Sequence, residues 1–265
     1  MTTAERFEKN IDQVNSDFRY IKTKLIECGV EVEDGTRTAD LAEKVGEVYE
    51  AGRKSEHDEF WDGYQTNGDR VNYNYGFYNR GWTDASFKPK YNITPTRATQ
   101  MFAESNISDL VGILENCGVT LDLSQTTNIY MTFYWCQSLT RVPVVDTRSS
   151  TNDTQTLYCL FGQDAKLRSI EKLILKPDGS QSFNITFSGC INLEEIRIEG
   201  VIGKNGFNVQ ECIRLSHDSL MSIINALKDN SGTDTWNSIT LGAANIAKLT
   251  QEELDIMEQK QWNYN

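Results

Sequence analysis

The chain has 265 residues, a net charge of −12, and 24% charged against 38% hydrophobic residues, which is room for one large domain or two smaller ones. That acidity excludes a nucleic-acid backbone as the expected partner, because such a partner calls for a basic footprint, and it disfavours anionic membranes. No apolar run approaches the length of a membrane span, and the opening MTTAERFEKN lacks the apolar core of a secretory signal, so export by a signal peptide is not expected.

Near the N-terminus, Phe7, Ile11, Val14, Phe18, Ile21 and Leu25 follow one another at steps of four and three. This is an a/d seam of period about 3.5, and it predicts a coiled-coil helix over 1–30 that oligomerises. Two bulky Phe at core positions favour a trimer. The alternative is a helix packed on its own domain. Gly29 is a stop signal, Asp34-Gly35 marks a turn, and Thr38 caps a second short helix carrying Leu41, Val45 and Val48.

Residues 60–91 are rich in aromatics interleaved with Asn and Asp. A flat ring stacks on a pyranose face while amides and carboxylates take its hydroxyls. Trp61, Tyr64, Tyr73, Tyr75, Tyr78 and Trp82 are therefore candidate ligand contacts. The alternative is that these rings pack a small irregular subdomain. On either reading, 31–98 is a helix plus an aromatic-rich connector.

From residue 99 a phrase recurs. Phe133, Cys136, Leu139 and Val142 step by three, and Val144 follows by two; Phe187, Cys190, Leu193, Ile196 and Ile198 repeat that spacing. Phe161, Asp164, Leu167, Ile170, Leu173 and Leu175 follow it with a slight insertion, and Val209, Cys212 and Leu215 give a shorter version. A step of three fits neither helix nor strand and reads as a corner; the closing step of two is strand-like. The stretch before each corner alternates, as in Ile129, Met131, Phe133; Leu157, Cys159, Phe161; and Phe183, Ile185, Phe187. Each unit thus reads as strand, corner, strand, at intervals of about 22 to 28 residues, with buried thiols at the corners. A first degenerate unit carries a helix around Ile107, Leu110, Val111 and Leu114. After Leu215 the pattern turns helical: Ser216 caps a helix through Leu220, Ile223, Ile224 and Leu227. Ile239 and Leu241 form a last strand, and Thr250 to Glu253 is a capping box opening a final helix.

Catalytic signals are absent from this reading. His57 and His217 have no close ligand partners in sequence, Ser216-His217-Asp218 are consecutive and point apart, and no phosphate or nucleophile motif occurs. No enzyme activity, metal or cofactor is expected. Glu194-Glu195 reads as a solvated edge.

The C-x-x-L-x-x-I-x-I phrase resembles BspA-like leucine-rich repeats. The order of parts is a seam, then GVEVEDGTRTADLAEKV, an aromatic stretch, repeats, and SHDSLMSIINALKDNSGTDTWNSITLGAANIAKLTQEELDIMEQKQW. It resembles leucine-rich repeat proteins encoded among the structural genes of tailed bacteriophages. Such proteins often end in Lys-Gly-Trp, where this chain has Lys260-Gln261-Trp262. The expected fold is α+β: an N-terminal coiled coil, an aromatic linker subdomain, and a C-terminal irregular BspA-like β-solenoid over 99–265 with capping helices. The resemblance implies a virion protein, a tail fibre or baseplate appendage, that binds itself, other virion proteins and a host-surface glycan or protein. The alternatives are a structural adaptor or head decoration, or a bacterial surface adhesin.

Overall fold

The protein is described by a computed structural model that covers residues 21–22, 71–79, 81–151 and 157–265. The chain divides into two compact units, residues 1–66 and 67–265. In the first, Ile21 and Lys22 are helical and Ile21 is exposed. Phe7, Ile11, Val14, Phe18 and Leu25, with which Ile21 was expected to form a seam, lie outside the described residues, as do Trp61 and Tyr64.

The second unit holds seven short strands among its described residues: β1 (Val71–Asn72), β2 (Pro95–Arg97), β3 (Arg141–Asp146), β4 (Ser169–Ile174), β5 (Glu195–Glu199), β6 (Asn237–Ile239) and β7 (Trp262–Tyr264). They form three separate parallel sheets, β1-β2, β3-β4-β5 and β6-β7. Four short helices accompany them: α1 (Leu110–Cys117), α2 (His217–Ala226), α3 (Ala243–Ile246) and α4 (Gln251–Gln259).

This corrects the expected α+β fold of coiled coil, linker and BspA-like solenoid. Among the described residues there is no long coiled-coil helix, and small parallel sheets with short helices stand where a solenoid was expected. The physical reasons lie in particular segments. The three-stranded sheet ends at a helix on each edge, because Leu110, Val111, Ile113 and Leu114 on one side, and Leu220, Ile223 and Ile224 on the other, bury a helical stripe. At the β3 edge Ser108, just before α1, accepts from the Thr140 N–H. At the β5 edge the hydroxyls of Ser219 and Ser222 on α2 accept the N–H groups of Ile196 and Ile198, at 3.0 and 2.8 Å. Edge N–H groups that another strand would take are thereby satisfied, by a backbone carbonyl at the β3 edge and by side-chain hydroxyls at the β5 edge.

The stretches expected as the first strand of each unit are not strands either. Residues 130–135, 157–163 and 184–189 are runs of turns. Within such a row, one N–H closes a turn on its own row, as Tyr134 does to Met131 at 3.0 Å. The next N–H reaches the following row: Met131 to Tyr158, Phe133 to Leu160 and Trp135 to Gly162, at 2.9–3.2 Å. In the rows of Phe133 and Phe187 the inward side chain therefore recurs every fourth residue, not every second, whereas in the row of Phe161 the alternating Leu157, Cys159 and Phe161 are all buried. Ile129 and Phe133 are buried and Met131 only half-buried; Phe183 and Phe187 are buried and Ile185 is 45% exposed. After the corner, the step of three is kept: Val142 and Val145 in β3, and Ile170 and Leu173 in β4, are buried, whereas Val144 is exposed. Strand β5 crosses the same span with one residue fewer, since Ile170 pairs with Ile196 and Leu173 with Ile198, an irregularity of the bulge kind.

Two internal columns result. Phe102, Phe133, Phe161 and Phe187 are buried and lie near-parallel, with successive ring centroids 5.5, 5.6 and 5.7 Å apart. Phe77 joins one end at 4.9 Å and Phe207 the other at 5.4 Å, both tilted. Beside them runs a polar column of Ser105, Cys136, Asp164, Cys190 and Cys212, all buried. The thiols of Cys136, Cys190 and Cys212 face the carbonyls of Phe102, Phe161 and Phe187, at 3.1, 2.9 and 3.9 Å. Asp164 interrupts the thiols. Its Oδ1 accepts the Cys136 N–H at 2.6 Å, and its Oδ2 is buried with no hydrogen-bond partner among the described residues.

At the C-terminal end the side chains close on backbone groups. The indole of Trp262, fully buried, donates to the Lys228 carbonyl at 2.8 Å. Lys260 Nζ takes the Ile224 and Asn225 carbonyls near the end of α2, both at 3.0 Å, where a cation suits the helix dipole. The buried amide of Asn245 donates to the carbonyls of Val209 and Leu241.

Burial pushes the Asp164 carboxyl well above the usual carboxylate range, against a smaller lowering by the Cys136 N–H. A carboxyl raised in the folded state holds its proton more tightly there than in the unfolded chain. Its stabilising contribution is therefore complete below about pH 4 and is lost as pH rises toward the folded value. Asp164→Asn keeps the acceptor for Cys136 and removes the ionisation. We expect it to raise stability at pH 8 by about 1–3 kcal/mol and to leave pH 4 stability nearly unchanged. Melting of both proteins across that range is the check; parallel pH curves would refute the assignment.

Candidate binding face

The rows leave two columns, two residues before and two residues after each core Phe, that turn outward except at Cys159, which is buried. Both need left-handed backbone. The pairs are Tyr75 (φ 57°) and Asn79 (42°), Gln100 (49°) and Glu104 (58°), Met131 (54°) and Trp135 (57°), Cys159 (48°) and Gln163 (67°), and Ile185 (46°) and Gly189 (80°). Side chains with a Cβ pay about 1–2 kcal/mol for this conformation, and glycine does not. Gly189 shows the residue the backbone prefers, and a Cβ there would also press on Gln163 at 3.0 Å. β-Branched Ile185 is the least suited of the ten.

Large apolar groups nevertheless occupy these positions and face solvent: Tyr75 is 52% exposed, Trp135 44% and Ile185 45%. One residue before the first column, Tyr130 and Tyr158 are half-buried and stack at 5.3 Å, with an interplanar angle of 3°. Tyr134 meets Trp135 edge-on at 6.1 Å, and Tyr75 meets Tyr78 edge-on at 5.8 Å. The Tyr78 hydroxyl donates to Glu104 Oε1 at 3.0 Å, and that bond is the first cause of its raised pKa. Two polar hollows open here. Asn79, Glu104, Ser105, Asn106, Trp135 and Gln137 line one; Asn184, Ile185, Ser188, Asn208, Gln210 and Glu211 are among those lining the other.

The candidate contacts read from the sequence separate on this framework. Tyr75 and Tyr78 lie on the face. Tyr73 is 4% exposed and packs against Phe77 at 5.7 Å, so it belongs to the core. Trp82 is half-buried against Phe87 at 5.9 Å. Sequence reasoning missed Tyr130, Met131, Tyr134, Trp135, Tyr158 and Ile185. An alternating strand would turn Met131, Trp135 and Ile185 inward with Phe133 and Phe187. The legible signal was Gly189, which stands in the repeat where Gln163 and Trp135 stand and marks a left-handed position.

Elsewhere the polar groups serve structure. Ser216 caps α2, accepting the Ser219 N–H, and donates to Glu195. His217 Nε2 lies 2.8 Å from Glu253 Oε1, so the Ser216-His217-Asp218 side chains are not a relay. Glu253 also completes the capping box with Thr250. Cys117, Cys136, Cys159, Cys190 and Cys212 are free thiols. Among the described residues, no group of three His, Cys, Asp or Glu side chains is placed to hold a metal. No known protein family, curated protein or solved structure matches the chain.

Because Trp135 and Ile185 are exposed and sit where glycine is favoured, Trp135→Gly and Ile185→Gly should change stability by less than about 1 kcal/mol in either direction. Phe133→Ala in the core column should cost about 3–5 kcal/mol. Denaturant melts of the three variants test this; a large loss at Trp135 or Ile185 would make these residues structural.

Proposed function

We propose that the protein is a bacteriophage virion component, a tail fibre or baseplate appendage, that uses the Tyr75–Trp135–Ile185 face to bind the host surface. The observation that carries the reading is the placement of large exposed apolar side chains at left-handed positions, where they add strain and little burial. Residues that stability does not call for are those expected at a contact surface. The resemblance of the sequence to phage structural proteins supplies the setting. Self-association through residues 1–30 would multiply weak single contacts into useful avidity.

The full chain, fluorescently labelled, should bind intact Gram-positive cells, slow phage adsorption to them, and sediment as an oligomer, a trimer in the favoured case. A chain that binds no strain and blocks no phage is an adaptor or head decoration instead. A monomer in solution overturns the self-association.

A further inference from the structure

The hollow beside Trp135 combines three features that a sugar requires. The first is a flat apolar surface, the Trp135 indole, 44% exposed. A pyranose lays its C–H face on such a ring. The second is a set of amides, Asn79, Asn106 and Gln137, around that ring. Each amide offers both a donor and an acceptor, which suits vicinal hydroxyls that do both. The third is a carboxylate held in place: Glu104 lies in the same hollow, and the Tyr78 hydroxyl donates to its Oε1 at 3.0 Å. A carboxylate so pinned accepts a hydroxyl proton with little entropy still to lose.

Charge narrows the class. Among the described residues that line it, the hollow has a carboxylate and no lysine or arginine, and the chain carries −12 overall. Teichoic or sialylated ligands would meet repulsion there. Size narrows it further. The space measures about 260 Å³, below the roughly 300 Å³ at which pockets for drug-sized ligands begin, so it takes one sugar residue of a longer chain.

We infer that the Asn79–Glu104–Trp135–Gln137 hollow is a subsite for one neutral sugar residue of a host-surface glycan. The inference rests on the proposed host-binding role and names its ligand.

The test uses the full chain and a panel of neutral oligosaccharides, including N-acetylglucosamine, glucose, galactose and rhamnose oligomers, with a phosphate-bearing wall polymer as the charged counterpart. Binding is read by titration calorimetry at millimolar sugar and by labelling of whole cells. At least one neutral oligosaccharide should bind. Trp135→Ala should weaken it at least tenfold and Glu104→Gln several-fold, with melting temperatures near wild type. Sugar binding that survives both substitutions, binding only of the charged polymer, or no binding at all overturns the subsite. Cells that still take up Trp135→Ala at the wild-type level also refute the subsite while leaving the host-binding role intact. If the wild-type chain binds sugar in solution but labels no cell, the role fails and the subsite stands.

Discussion

The second unit depends on one constraint, the donation of every other N–H in a row to a carbonyl of the next row. These bonds, such as Phe102 to Thr132, Phe133 to Leu160 and Phe161 to Thr186, fix neighbouring rows in parallel and in register. Once the register is fixed, equivalent residues must lie over one another. Phe falls on Phe near 5.6 Å, and a thiol falls beside the carbonyl of the preceding row's Phe. The rings do not choose this geometry independently. They fill the space that the backbone leaves, and each displaced stack adds about 0.5–1.5 kcal/mol beyond its burial. The small corner residues follow from the same spacing, since nothing wider than Cys, Ser or Asp occupies that column.

How far the sequence disclosed this arrangement depended on which backbone groups each signal reports. Steps of three through Phe133, Cys136, Leu139 and Val142 identified buried residues, because each side chain at a corner meets the same interior. Ser216 as a cap and Thr250 to Glu253 as a capping box were legible because cap chemistry is local. Alternation through Met131 and Ile185 misled, because apolar side chains two apart do not reveal whether the chain between them is a strand or a left-handed turn. The helices bounding the β3-β4-β5 sheet were visible as periodicity. Their role as sheet edges was not, because it rests on Ser219 and Ser222 hydroxyls meeting N–H groups more than twenty residues away. The second strand of the C-terminal pair, β7, was hidden for the same reason: only its pairing with Asn237–Ile239 makes Trp262–Tyr264 a strand.

The candidate face was half legible. Residues 60–91 were singled out for their aromatics, and Tyr75 and Tyr78 do reach the surface, but composition could not separate them from Tyr73, which the register turns inward. Trp135 and Ile185 come from repeats read as core, so their outward direction follows only from backbone φ.

That origin bears on what the face can do. The ladder consumes backbone groups and the Phe column consumes the inward side chains, so neither uses the exposed side chains at left-handed positions. Residues with a Cβ pay a backbone cost there, β-branched ones the most, and glycine pays least. Rows can therefore carry Tyr, Gln, Met, Cys or Ile in one column and Asn, Glu, Trp, Gln or Gly in the other without altering the register. A surface whose identity is uncoupled from folding can be rewritten one residue at a time, each change costing the fold little. In the proposed host-binding role, this separates the requirement to stay folded from the requirement to recognise, and recognition would fall to the exposed positions that stability leaves unused.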